Sequence, residues 1–155
     1  MKTKDILRLK GNDVITIGPD ETVQEAIRKL NEYGIGALVV TGEREEISGI
    51  ITERDILREC DERCVFLSEP PQREQTNWPS LVRDVMKRDL IVGVPDDGLD
   101  YVMGIMTKNR IRHLPIMDGK KLAGIISIGD VINAHLKETE FENRMLKDYI
   151  HGVTL

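Results

Sequence analysis

Two stretches of this chain are copies of one another. Residues 15–40 align with residues 91–116 at an offset of 76, and residues 47–57 align with residues 122–132 at 75. Identical pairs fall at Ile15/Ile91, Pro19/Pro95, Asp20/Asp96, Ile35/Ile111, Leu38/Leu114, Gly49/Gly124, Ile50/Ile125, Ile51/Ile126 and Asp55/Asp130. The one-residue change of offset falls between Val40 and Ile47, in a polar stretch of the kind that absorbs length changes. An internal repeat fixes the architecture before any local signal is read. Both copies end alike, with an apolar run closed by a polar pair: Thr52 and Asp55 in one, Ser127 and Asp130 in the other.

Each copy spans roughly 50–60 residues, a size at which a lone core is marginal, so the two are expected to pack on each other. Over the 155 residues, 22 basic and 27 acidic side chains leave a net charge of −5, which argues against nucleic-acid binding. No run approaches the ~18 apolar residues of a membrane span, and no signal-peptide core is present. A cytoplasmic address without membrane attachment is the expectation. Cys60 and Cys64 are the only cysteines, and they and the three histidines show no metal-ligand spacing.

Each copy reads strand, helix, strand, hairpin turn, strand, helix. In the first, the β-branched run Val14 to Ile17 ends at Gly18-Pro19, and Thr22 with Glu25 forms a capping-box pattern that starts a helix. Val23, Ala26, Ile27 and Leu30 make one helical stripe, closed by Gly34, and Leu99, Val102, Met103 and Met106 repeat it in the second copy. Residues 35–40 with 47–51, and 111–117 with 122–126, read as hairpins, the second turning at Asp118-Gly119. Thr52 and Ser127 sit where the N-cap of the following helix belongs. The order βαββα is thus predicted twice, an α/β (α+β) fold of two tandem repeats related by a pseudo-twofold axis.

A shorter echo precedes each copy: Lys4-Asp5-Ile6-Leu7 resembles Arg83-Asp84-Val85-Met86. The expected divisions are a first repeat with an N-terminal extension over 1–68, a linker over 69–80, a second repeat over 81–138 and a C-terminal helix over 139–155. Trp78 is expected to pin the linker, which carries Pro70, Pro71 and Pro79, to the body.

These features together resemble the CBS-domain pair, or Bateman module. The stretches that carry the likeness are Gly49-Ile50-Ile51-Thr52-Glu53-Arg54-Asp55 and Gly124-Ile125-Ile126-Ser127-Ile128-Gly129-Asp130, with the strand Arg112-His113-Leu114-Pro115-Ile116. The resemblance runs from Ile6 to about His135. It implies binding of an adenine nucleotide (AMP, ADP or ATP) or of S-adenosylmethionine in two clefts between the repeats. Adenine would lie against the first strand of a repeat, and the signature aspartate would hold the ribose hydroxyls. A carboxylate suits a vicinal diol, and a hydroxyl at a helix N-terminus suits a phosphate or ribose oxygen. The plain alternative is that Thr52 and Ser127 only cap helices and that Asp55 and Asp130 only favour the helix dipoles.

The resemblance also implies unequal clefts. The main one would take Val92, Gly93, Val94, Arg112, His113, Leu114, Pro115, Ser127 and Asp130, with Arg54 from the opposite repeat on the phosphate. The weaker one would take Thr16, Ile17, Ala37, Thr52 and Asp55, because Gly36, Ala37 and Gly129 stand where the main cleft has Arg112, His113 and Arg54.

The function expected is a non-catalytic sensor acting on an unidentified regulated protein. Inosine monophosphate dehydrogenase carries such a pair, but its catalytic barrel would need roughly 250 residues. The sequence shows no Gly-rich P-loop, no Ser-His-Asp candidate and no metal cluster, so no catalytic cofactor is expected. An S-adenosylmethionine sensor and a ligand-free dimerisation scaffold are the alternatives. Phe141, Met145, Leu146, Tyr149 and Ile150 share one side of the last helix and point to a homodimer.

Overall fold

The computed structural model describes residues 1–43, 46–62 and 80–152. Trp78, Cys64 and the linker prolines lie outside the described residues, as do Arg44 and Glu45 of the first hairpin turn. In chain order the elements are α1 Thr3–Lys10, β1 Thr16–Ile17, α2 Val23–Tyr33, β2 Ala37–Thr41, β3 Ile47–Thr52, α3 Glu53–Glu62, α4 Val82–Val85, α5 Leu99–Lys108, β4 His113–Asp118, β5 Lys121–Ser127 and α6 Ile128–Ile150. Two compact units result: residues 14–90 form one, and residues 1–13 with 91–155 form the other.

In the unit of residues 14–90, β2 pairs parallel with β1 and antiparallel with β3. Thr22 caps α2, its hydroxyl accepting from Glu25 N at 3.2 Å, while the Glu25 carboxylate turns instead to Arg28 at 2.8 Å. Half of the predicted capping box is therefore realised. Gly34 ends α2 in the left-handed conformation, φ 61°, where a side chain would be strained. The stripe Val23, Ala26 and Leu30 packs on Leu38, Val40 and Ile51, each fully or nearly fully buried. Burial of such aliphatic side chains contributes about 1.5–3 kcal/mol apiece.

The other unit repeats the pattern with one correction. The strand predicted around residues 91–94 shrinks to a single parallel bridge between Gly93 and Ile116, with Gly93 N donating to Pro115 O and Met117 N to Gly93 O. The next rung would need the amide of Pro115, and proline carries no N–H. In the first unit Val39 holds that position, and β1 runs two residues. Beside the bridge, β4 and β5 form an antiparallel hairpin that turns through Gly119, φ 61°. The last helix, α6, is unbroken from Ile128 to Ile150.

The repeats exchange their lead-in segments. Residues 1–13 join the second copy, and residues 81–90 join the first. The two dockings use the same bonds. Val82 N donates to Glu21 O and Arg83 N to Pro19 O, as Thr3 N does to Asp97 O and Lys4 N to Pro95 O. Ion pairs reinforce both, Arg83 with Asp20 and Lys4 with Asp96 at 2.6 Å. The repeated glycines gain their reason here. A Cβ on Gly49 would sit 2.7 Å from Met86 Sδ, and one on Gly124 would sit 2.6 Å from Leu7 Cδ2. Met86 and Leu7 occupy the same place in the echo, so each glycine admits the lead-in of the other copy.

Candidate functional site

The hairpin ends build both candidate sites. In the second copy the final rung of β4–β5 sets His113 opposite Ser127, and in the first the final rung of β2–β3 sets Ala37 opposite Thr52. The helix that follows is tied back to the residue before the strand: Ile128 N donates to Arg112 O at 2.8 Å, and Glu53 N to Gly36 O at 3.2 Å. This closure brings Arg112, His113, Ser127 and Asp130 to one end of the hairpin. Arg112 is exposed, His113 half-buried, and Leu114 and Pro115 are buried beneath them.

Ser127 and Asp130 bond each other reciprocally. Asp130 N donates to Ser127 Oγ at 3.2 Å, while Ser127 N and Oγ donate to Asp130 Oδ2 at 2.7 and 2.8 Å. Thr52 and Asp55 repeat this, with Asp55 Oδ2 accepting from Thr52 N at 3.0 Å and Oγ1 at 2.6 Å. The hydroxyls expected to meet a ligand are thus committed to the aspartates. Both hydroxyls also cap their helices, Thr52 Oγ1 accepting from Asp55 N at 3.3 Å and Ser127 Oγ from Asp130 N at 3.2 Å, and each keeps a second acceptor lone pair beside the carboxylate.

The two carboxylates differ in access. The Asp55 side chain is 3% exposed, and its Oδ1 is buried without a hydrogen-bond donor among the described residues, facing Lys87 Nζ at 3.4 Å and Arg58 Nη1 at 3.9 Å. The Asp130 side chain is 25% exposed. Its Oδ2 also accepts from Lys10 Nζ at 2.7 Å, while Oδ1 has no donor among the described residues. Partial burial pushes the Asp130 carboxyl up, but the Lys10 ammonium and the Ser127 N–H and hydroxyl outweigh it and hold it below the usual carboxylate range. Asp130 is therefore an accessible, ionised acceptor at neutral pH. The Asp55 carboxyl group is sealed from solvent.

The first-strand residues offer backbone. Gly93 spends its N–H and C=O on the bridge, and Val94 spends its N–H on Asp97 Oδ2 and its C=O on the Thr3 hydroxyl. Val92 keeps both groups without a partner among the described residues, and its side chain is exposed. A peptide edge of this kind presents one donor and one acceptor, the complement of an adenine edge. In the first unit Thr16 O is instead occupied by Lys29 Nζ at 3.2 Å, and Ile17 is buried. Arg54 lies in the first turn of α3, in the other compact unit. Reading the sequence missed Lys10, whose position is set by the exchanged helix α1 and by no local pattern.

The CBS-domain profile matches residues 4–62 and 82–137. Among sequence relatives, the CBS domain-containing protein CBSX3, mitochondrial, of Arabidopsis thaliana is 34% identical over 96% of this chain and 71% of its own length. Among solved structures, the CBS-domain containing protein ATU1752 of Agrobacterium tumefaciens is 36% identical with a TM-score of 0.76, over 87% of this chain and 99% of that one. The CBS domain pair of protein MJ0100, solved with 5-methylthioadenosine and S-adenosyl-L-methionine, has a TM-score of 0.72 at 24% identity, over 89% of this chain and 98% of that one, a likeness of fold.

Proposed function

Because the chain belongs to the CBS-domain family, we propose that it is a non-catalytic regulatory module whose Asp130 site binds an adenine nucleotide: AMP, ADP or ATP. The observation that carries this reading is the accessible Asp130 carboxylate, ionised and with one oxygen open. The open peptide edge at Val92 and the basic Arg112 lie in the same unit, fitting adenine and phosphate respectively. Family resemblance assigns His113 to the phosphate as well. The sealed Asp55 supports a weaker or empty second site formed by Thr16, Ile17, Ala37 and Thr52. A regulatory role is supported by the two CBS-domain matches at residues 4–62 and 82–137. Among the described residues, the one free cysteine, Cys60, has its thiol pushed up by burial, away from nucleophilic use.

A homodimer acting on a separate regulated protein completes the reading, with the cytoplasm as its compartment. Phe141, Met145, Leu146, Tyr149 and Ile150 are all exposed on α6, an apolar surface that a second copy would cover. No helix among the described residues is long and apolar enough to cross a membrane.

A thermal-shift screen with AMP, ADP, ATP and S-adenosylmethionine tests the ligand class. Stabilisation that grows with nucleotide concentration is expected, since a ligand bound to the native state alone raises its stability by mass action. No shift with any of the four would reject the reading. Sedimentation of the full chain against a version ending at Lys137 tests the dimer, and a full-length monomer at micromolar concentration would reject it.

A further inference from the structure

Lys10 is the last residue of α1, and among the described residues its ammonium bonds Asp130 Oδ2 at 2.7 Å and Ile125 O at 3.1 Å. The helix it stands on is fixed by other contacts. Thr3 N, Thr3 Oγ1 and Lys4 N bond the turn of residues 94–97, and Leu7 fills the space over Gly124. The lysine side chain can therefore move without undocking α1. All of these residues belong to one compact unit.

A ribose diol has an open acceptor in Asp130 Oδ1, so Lys10 need not leave for a nucleoside to bind. The Lys10 ammonium, 2.7 Å from that carboxylate, then stays in the site as a positive charge beside the nucleoside and what it carries at its 5′ carbon. Interactions between charges at such separations are strong in a partly buried setting and grow with the ligand's charge. A phosphate gains from Lys10, a neutral 5′ group is indifferent to it, and a sulfonium is repelled.

Building on the nucleotide reading above, we infer that Lys10 is a specificity-determining residue, selecting adenosine ligands with an anionic 5′ group over cationic ones. The residue makes the signature carboxylate part of a neutral pair, so that the ligand's own charge decides its fate. The site as a whole then favours nucleotides over S-adenosylmethionine, although both carry the same adenosine.

Calorimetric titration of the full chain and of Lys10→Met with AMP, adenosine and S-adenosylmethionine tests the assignment. In Lys10→Met, AMP is expected to weaken about tenfold, the scale of one unit charge acting across a few ångströms in a partly buried site, adenosine to stay within about threefold, and S-adenosylmethionine to strengthen. The changes should rank by ligand charge. Lys10→Arg should preserve the wild-type order, and added salt should shrink the AMP preference more in wild type than in Lys10→Met. A loss of equal size for all three ligands would mark Lys10 as merely structural and overturn the inference while leaving the nucleotide reading intact. Absence of binding by any of them to the wild-type chain would overturn both. Should Lys10→Met fail to fold, an AMP-to-S-adenosylmethionine ratio insensitive to salt in the wild-type chain would still refute the inference.

Discussion

Leu7 and Gly124 should behave as one energetic unit, although 117 residues separate them. Leu7 is 4% exposed, and its truncation to alanine removes packed carbons from a site that can close only in part. Such deletions cost about 2–5 kcal/mol. Gly124→Ala acts in the opposite direction: the new methyl would lie 2.6 Å from Leu7 Cδ2, 3.0 Å from Cδ1 and 3.3 Å from Cγ. Overpacking of this kind costs about 1–3 kcal/mol. All three clashing atoms are absent once residue 7 is alanine. In that background Gly124→Ala is expected to be neutral within about 0.5 kcal/mol, so the double-mutant cycle should show a favourable coupling of about 1–3 kcal/mol. Urea denaturation of the four proteins measures it. The homologous pair should respond differently. A methyl on Gly49 meets the Lys87 carbonyl oxygen at 2.8 Å as well as Met86 Sδ at 2.7 Å, and that carbonyl accepts from Ile50 N at 3.0 Å. Met86→Ala should therefore rescue Gly49→Ala only partly. Strictly additive losses for Leu7→Ala and Gly124→Ala would refute the exchanged packing of the lead-in helix.

Two further outcomes follow from the carboxylates. Asp55→Ala should destabilise the fold by about 3 kcal/mol, as expected when a buried charged acceptor leaves two hydrogen bonds unmade, and Asp130→Ala by about half as much, because its freed donors reach water; comparable denaturation midpoints would contradict the difference in access. Asp96 is held at about 2 by hydrogen bonds from Lys4 and Lys2, below its ordinary value of 3.8. A depressed carboxyl lends its stability above the ordinary value and loses it as pH falls through the folded one. Amide protection in α1, corrected for the intrinsic exchange rate at each pH, should therefore fall between about pH 4 and pH 2, and Asp96→Asn should remove much of that dependence. An unchanged profile in the variant would assign the acid response elsewhere.

Much of the fold was legible because the signals are local and doubled. The stripe Val23, Ala26 and Leu30 and the turn glycines Gly34 and Gly119 each depend on neighbours within a few residues, and they behave as read. Pro115 hid the weakness of the first strand in the second copy, because its missing N–H matters only once the bridging partner is known. The exchange of lead-in segments left a faint trace. The echo Leu7/Met86 and the identical Gly49/Gly124 were both visible, but nothing local says that they pack on the opposite copy. Lys10 left no trace at all. A basic residue at a helix C-terminus is ordinary dipole chemistry, and the same step in the second echo falls on Asp89. The candidate carboxylates, by contrast, were named by the repeat itself, and only their unequal burial required coordinates.

The most direct measurement of the central claim is calorimetric titration of AMP into the wild-type chain, Asp130→Ala and Asp55→Ala, with folding of each verified by circular dichroism. The wild-type protein should bind AMP, Asp130→Ala should lose about 1.5–3 kcal/mol or more of that affinity, the scale of charged hydrogen bonds to a ribose, and Asp55→Ala should bind nearly as tightly as wild type. Unchanged affinity in a folded Asp130→Ala, or selective loss in a folded Asp55→Ala, would contradict it.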